Sequence, residues 1–155
     1  MQKIQGSTSA RAITELVNLL DSGDMITDEY YQRGHVWGVE RQRKLIFSLQ
    51  AGIPVGAVVI GQRNNYSLAV VDGKQRLTAV SDFINDQFTV PGEWFSDDLE
   101  GSDVVFSDLP RPIQADFRLM TTLPVCEFHS DGAEHESEIF DLVNFGGVEQ
   151  GDSDF

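Results

Sequence analysis

The chain has 155 residues, 41% of them apolar, and a formal charge of −14. That length fits one domain of about 100–200 residues, and the apolar content excludes a globally disordered chain. A sequence pI near 4.3 argues against a general nucleic-acid binder, which works by neutralising phosphates with lysine and arginine.

The elements follow in chain order. Ser7, Thr8 or Ser9 is expected to cap a first helix, with Ile13, Leu16, Val17 and Leu20 at helical spacing and Gly23 as its stop. DEYYQRGHVWG reads as an extended segment and loop. A second helix is predicted over Val39 to Ala51, with Leu45, Ile46 and Leu49 inward and Arg41, Arg43 and Lys44 forming an exposed cationic face. VGAVVIG and LAVVD read as two strands paired across the turn QRNNYS. Leu77, Val80, Phe83 and Ile84 mark a third helix. FTVPGEW and DVVF are expected to be short strands around an acidic loop, and Leu109 to Met120 a helix with Pro110 and Pro112 in its first turn. TLPVCEF is a strand candidate, and Ala133 to Val143 a helix broken by Asn144-Phe145-Gly146-Gly147. Together these predict an α+β fold in a single domain over 1–150, with 151–155 as an acidic, flexible tail.

No apolar run nears the roughly 18 residues of a membrane span, and the first twenty residues lack the pattern of a signal peptide. Cys126 stands alone, which excludes an internal disulfide and suits a reducing compartment. A cytoplasmic protein is therefore expected. The charge is also uneven. Residues 33–76 hold seven of the eleven lysines and arginines against Glu40 and Asp72, a net of +5, whereas residues 77–155 hold eighteen acids against Arg111 and Arg118, a net of −16. The middle of the chain thus suits a small anionic ligand.

Chemistry concentrates in LAVVDGKQRLTAV. Gly73 permits a tight turn or a close approach, and the following helix start offers free N–H groups to phosphate. Arg76 can grip two phosphate oxygens, Lys74 adds a point charge, and Asp72 suits Mg²⁺ or a ribose hydroxyl. The alternative is an ordinary strand-to-helix turn, with Asp72 as N-cap and Arg76 on the surface. In YYQRGHVW, Gln32 and Arg33 offer donors and Trp37 a stacking face, unless Tyr30 and Trp37 are core aromatics and Arg33 is solvated. His35, His129 and His135 share no metal-ligand spacing, so a zinc site is not expected. His129-Ser130-Asp131 has the residue types of a triad without evidence of its geometry. The acids of EHESE read as a solvated helix face, and Cys126 as packing.

One ordered series links these pieces: Gln32-Arg33 with Trp37, G-I-P-V-G at 52–56, V-V-D-G-K-Q-R-L-T at 70–78, F-S-D-L-P at 106–110, Pro124-Val125, and F-D-L-V-N-F-G-G at 140–147. The series resembles the N-terminal domain of GmrSD-type, modification-dependent restriction endonucleases, of the ParB/sulfiredoxin-like superfamily with its D-G-Q-Q-R motif. The resemblance covers roughly residues 26–150. It implies a small mixed sheet flanked by helices and a site for an NTP with Mg²⁺, binding and hydrolysis of which accompany DNA cleavage. By position, Asp72 and Arg76 would be catalytic. Gly73, Lys74, Gln75 and Arg76 would hold the nucleotide, with Gln32 and Arg33 facing the same pocket and Asn144, Gly146 and Gly147 closing it. This sequence departs from the pattern at Lys74, where the family has glutamine, and at Leu142, where it usually has arginine. The family's helical region and nuclease domain do not follow Gly147, so a stand-alone, truncated copy is expected.

Three functions are thereby in view. The first is a nucleotide-binding, weakly NTP-hydrolysing domain acting in or against nucleic-acid defence, with a separate nuclease or a host or phage protein as partner. The second is a non-catalytic acidic protein that binds a restriction or partition partner or imitates the charge of DNA. The third, opposed by the acidic balance, is ParB-like DNA binding or nuclease activity through the basic helix at 40–44.

Overall fold

The computed structural model describes residues 3–27 and 36–145. Five strands form a mixed sheet: β1 (Ser7–Ala12), β2 (Met25–Ile26), β3 (Val58–Gln62), β4 (Leu68–Asp72) and β7 (Thr122–His129), in the order β1-β7-β3-β4-β2. β5 (Val90–Pro91) and β6 (Asp103–Val104) form a small antiparallel pair around the acidic loop, as the pattern predicts. The helices are α1 (Ile13–Ser22), α2 (Val39–Ala51), α3 (Lys74–Ile84), α4 (Arg111–Met120) and α5 (Ala133–Phe145). The fold is α+β. No helix among the described residues is long and apolar enough to cross a membrane.

The start of the chain differs from its prediction. Ser7, Thr8 and Ser9 do not cap α1 but belong to β1, which pairs antiparallel with β7 from Ser7↔Glu127 to Ala12↔Thr122. The N-cap of α1 is Ala12, with no side-chain cap bond, and Ile13 instead donates its N–H to the Thr121 carbonyl at 3.1 Å. A neighbouring strand satisfies six residues of backbone at once, which outweighs the one donor a hydroxyl cap would satisfy. β2, only two residues long, leaves too short a pattern to be seen in the sequence. It pairs in parallel with Leu68 and Ala69 at the start of β4.

Alternation along the strands divides the core. Val58, Ile60, Val70, Leu123 and Val125 face α1, α2 and α3 in the larger core. At its centre Phe83 is fully buried, its ring 5.4 to 5.7 Å from those of Phe88, Phe95, Phe106 and Phe117. Such ring pairs add about 0.5–1.5 kcal/mol beyond the area they bury. The opposite face is smaller: Val71, Phe128 and Ile139 are buried there, with Val59 and Phe140 packed against them. α5 covers that face. Of the acids in EHESE, Glu134 and Glu138 are exposed as expected, but Glu136 is completely buried. Arg63 grips it with two bonds, Nε to Oε2 at 2.9 Å and Nη2 to Oε1 at 2.6 Å, and Ser130 Oγ donates to it as well. Helical spacing places Glu136 on the same face as Ile139, against the sheet and not toward water.

Candidate functional site

Asp72 ends β4, and Gly73 turns the chain into α3. Gly73 is required twice over. Its φ of 103° is in the left-handed region, and an added Cβ would lie 3.0 Å from Val58 Cγ2 and 3.1 Å from Val58 Cα. The glycine therefore packs directly on the first residue of β3. Gly73, not Asp72, is the N-cap of α3, and no side chain caps this helix; its first turn holds no acid. The free N–H groups and the positive end of the helix dipole thus meet no carboxylate from within the helix.

Asp72 points instead at Arg76. Arg76 Nη2 donates to Asp72 Oδ2 at 3.2 Å and to the Ala57 carbonyl at 2.8 Å. Its side chain keeps 20% of its exposure, and its Nε is buried without a hydrogen-bond partner among the described residues. The alternative of an ordinary turn, with a capping Asp72 and a surface Arg76, holds on neither point. The guanidinium also lies flat against Gly56: a Cβ there would meet Arg76 Cζ at 3.4 Å. Two segments separate in sequence, the 52–57 loop and the turn at 72–76, thereby frame one cation. Gly56 and Ala57 have no chemistry of their own to mark them in the sequence; Gly56 falls within the G-I-P-V-G series at 52–56, and nothing points to Ala57.

Gln75 Oε1 accepts from the Trp37 backbone N–H at 3.1 Å, so it ties the entry of α2 to the start of α3. Trp37 is packed against the larger core, and Arg41 Cζ sits 4.8 Å over its ring. One face of this indole is therefore occupied by a neighbouring arginine. Lys74 stands half-buried in the first turn of α3. Gln32, Arg33, Gly146 and Gly147 lie outside the described residues, as does His35.

Asn144 is described, and it is not part of a helix break. It lies in the last turn of α5, where its Nδ2 donates to the Phe140 carbonyl at 2.9 Å. α5 runs from Glu136, which meets Arg63 just past β3, to Ile139 and Phe140, which pack on Val59 and Val71. Asn144 follows beyond them, so it belongs to the end of the sheet that carries Asp72, on the face opposite Arg76.

The predicted cationic face of α2 is largely spoken for. Arg43 donates to the Thr89 carbonyl at 2.8 Å and pairs with Glu40, which leaves Lys44 as the exposed cation of the three. Ser130 is 1% exposed and donates to Glu136, so His129-Ser130-Asp131 is not a nucleophilic triad. No group of three His, Cys, Asp or Glu side chains among the described residues is placed to hold a metal ion.

A family model described as the GmrSD restriction endonuclease N-terminal domain matches residues 13–155. The chain belongs to this family. Comparison with curated proteins gave no match. The GmrSD match covers both segments that frame Arg76, and it associates the chain with restriction and nucleic-acid defence.

Proposed function

We propose that this GmrSD-family domain binds a nucleoside triphosphate, with its phosphates at the start of α3. The observation that carries this reading is Arg76: a largely buried guanidinium with an unpartnered Nε, held by Asp72 and Ala57 beside an uncapped helix N-terminus. A desolvated guanidinium beside an uncapped helix start suits an anion, and hydrogen bonds to a charged group contribute about 1.5–3 kcal/mol each. Arg76 and Lys74 hold phosphate oxygens, and the N–H groups of the first turn add the contacts typical of helix starts. Asp72 offers a single carboxylate, one oxygen of which already faces Arg76. That donor set suits a Mg²⁺ carried in by the phosphates, since Mg²⁺ is usually held by one or two carboxylates together with substrate oxygens. Hydrolysis would draw on the same cations to stabilise charge as it develops on the transferred group. A separate nuclease partner fits a domain of this kind.

Calorimetric titration of ATP, GTP, CTP and UTP with Mg²⁺ tests the reading. The wild type is expected to bind at least one of them, and Arg76→Ala to weaken it by about 10–100-fold, which corresponds to roughly 1.4–2.8 kcal/mol. Arg76→Lys keeps a charge while losing the planar grip, and a thermal melt of each variant separates lost binding from lost folding. If a folded wild type binds none of the four at millimolar concentration, the reading is wrong. An acidic interaction protein then becomes the better account.

A further inference from the structure

A second feature at the same end of the sheet is a cleft of about 370 Å³, formed where α2 ends, α4 ends and β7 begins. We infer that this cleft receives the nucleoside part of the ligand, so that the site takes a whole nucleotide in preference to free polyphosphate. The inference rests on the phosphate reading above and extends it to the rest of the ligand.

Position is the first argument. The 52–57 loop has two sides. Pro54 and Val55 line the cleft, whereas Gly56 lies against the Arg76 guanidinium and the Ala57 carbonyl accepts from it. Adjacent residues of one loop therefore wall the cleft and the cation, and neighbouring Cα atoms are only about 3.8 Å apart. The sheet repeats the juxtaposition: β3 and β7 run parallel with Val58 beside Val125, and Asp72 pairs with Val59. Cleft, Arg76 and the start of α3 thus lie at one end of the sheet.

Chemistry is the second argument. No ionisable side chain is among the described residues that line the cleft. Leu49, Val55 and Pro124 supply apolar wall, and Gln50, Thr121 and Thr122 supply an amide and two hydroxyls. A phosphate finds no cation there. An uncharged heterocycle with a ribose finds both an apolar surface and neutral hydrogen-bonding groups, in a volume within the roughly 300–1,000 Å³ of small-molecule sites. Gly56 brings the two halves side by side: a Cβ there would already touch Arg76 Cζ at 3.4 Å.

The test compares the four nucleoside triphosphates with tripolyphosphate, all with Mg²⁺, by calorimetry on the full chain. Wild type is expected to bind its preferred nucleotide at least tenfold tighter than tripolyphosphate. Thr122→Trp, at an exposed position opening β7, fills the cleft and is expected to remove that preference while tripolyphosphate binding persists. Gln50→Ala, a helix-favouring change, serves as the second variant if the tryptophan perturbs folding, with a smaller loss of the same preference expected. Equal affinity for nucleotide and tripolyphosphate in the wild type, or a preference untouched in both folded variants, overturns the cleft assignment and leaves the phosphate site standing. Loss of all binding, tripolyphosphate included, overturns both.

Discussion

Arg63→Ala is the most informative test of what holds α5 on the sheet. The mutation removes a guanidinium that makes two bonds to Glu136 and leaves a carboxylate with no solvent exposure. Breaking a buried pair from one side typically costs about 3–5 kcal/mol, because the remaining charge stays desolvated. Arg63 keeps 23% of its side-chain exposure and Ser130 still donates to Glu136, so water can enter and one bond survives. Both lower the cost toward the bottom of that range, about 3 kcal/mol. For a chain of this size that means a melting temperature lower by about 6–12 °C. Urea unfolding with an unchanged m-value provides the measurement. The double change Arg63→Met with Glu136→Leu is expected to recover most of the loss, since replacing both charges with apolar groups is often neutral. A loss under 1 kcal/mol for Arg63→Ala, or a double variant no better than the single, would refute the claim that the pair is desolvated.

Two further outcomes follow from packing. Phe83→Ala empties the centre of the five-ring cluster and should cost about 3–5 kcal/mol in urea unfolding, given a residue with no exposure and four aromatic neighbours. Gly73→Ala should cost about 1–3 kcal/mol from its left-handed φ alone. The contact with Val58 adds to this, and at 3.1 Å from a backbone atom it must shift the start of α3, so nucleotide titration should weaken in a variant that still melts cooperatively.

The helices were legible because their apolar residues recur at helical spacing and end at Gly23 and Gly52, and the β3–β4 hairpin because β-branched runs flank a polar turn. What the sequence hides is set by distant partners. STSARA resembles a helix cap until β7 offers it a ladder, and Glu136 resembles its solvated neighbours until Arg63 comes from 73 residues away. The candidate site divides in the same way. Asp72, Gly73 and Arg76 were visible as a local turn, and the structure brings them together. That Asp72 serves Arg76 instead of capping α3, and that a glycine and a carbonyl from 56–57 complete the frame, depends on packing that no local pattern records.

The division of the core into two unequal halves has a consequence for how the molecule opens. On one face α1, α2 and α3 meet in a continuous aromatic and aliphatic cluster, while on the other the described contacts of α5 are a smaller apolar cluster and the Arg63–Glu136 pair. Protection against exchange scales with buried contacts, so α5 forms the low-energy cooperative unit of the fold and the remainder the high-energy one. Detachment of α5 bares Val59 and Val71 and carries Asn144 away, yet leaves the hairpin, Gly73 and Arg76 in place. Opening of α5 alone would therefore leave the turn that carries the proposed phosphate site folded, and amides of α5 should exchange ahead of those of α3.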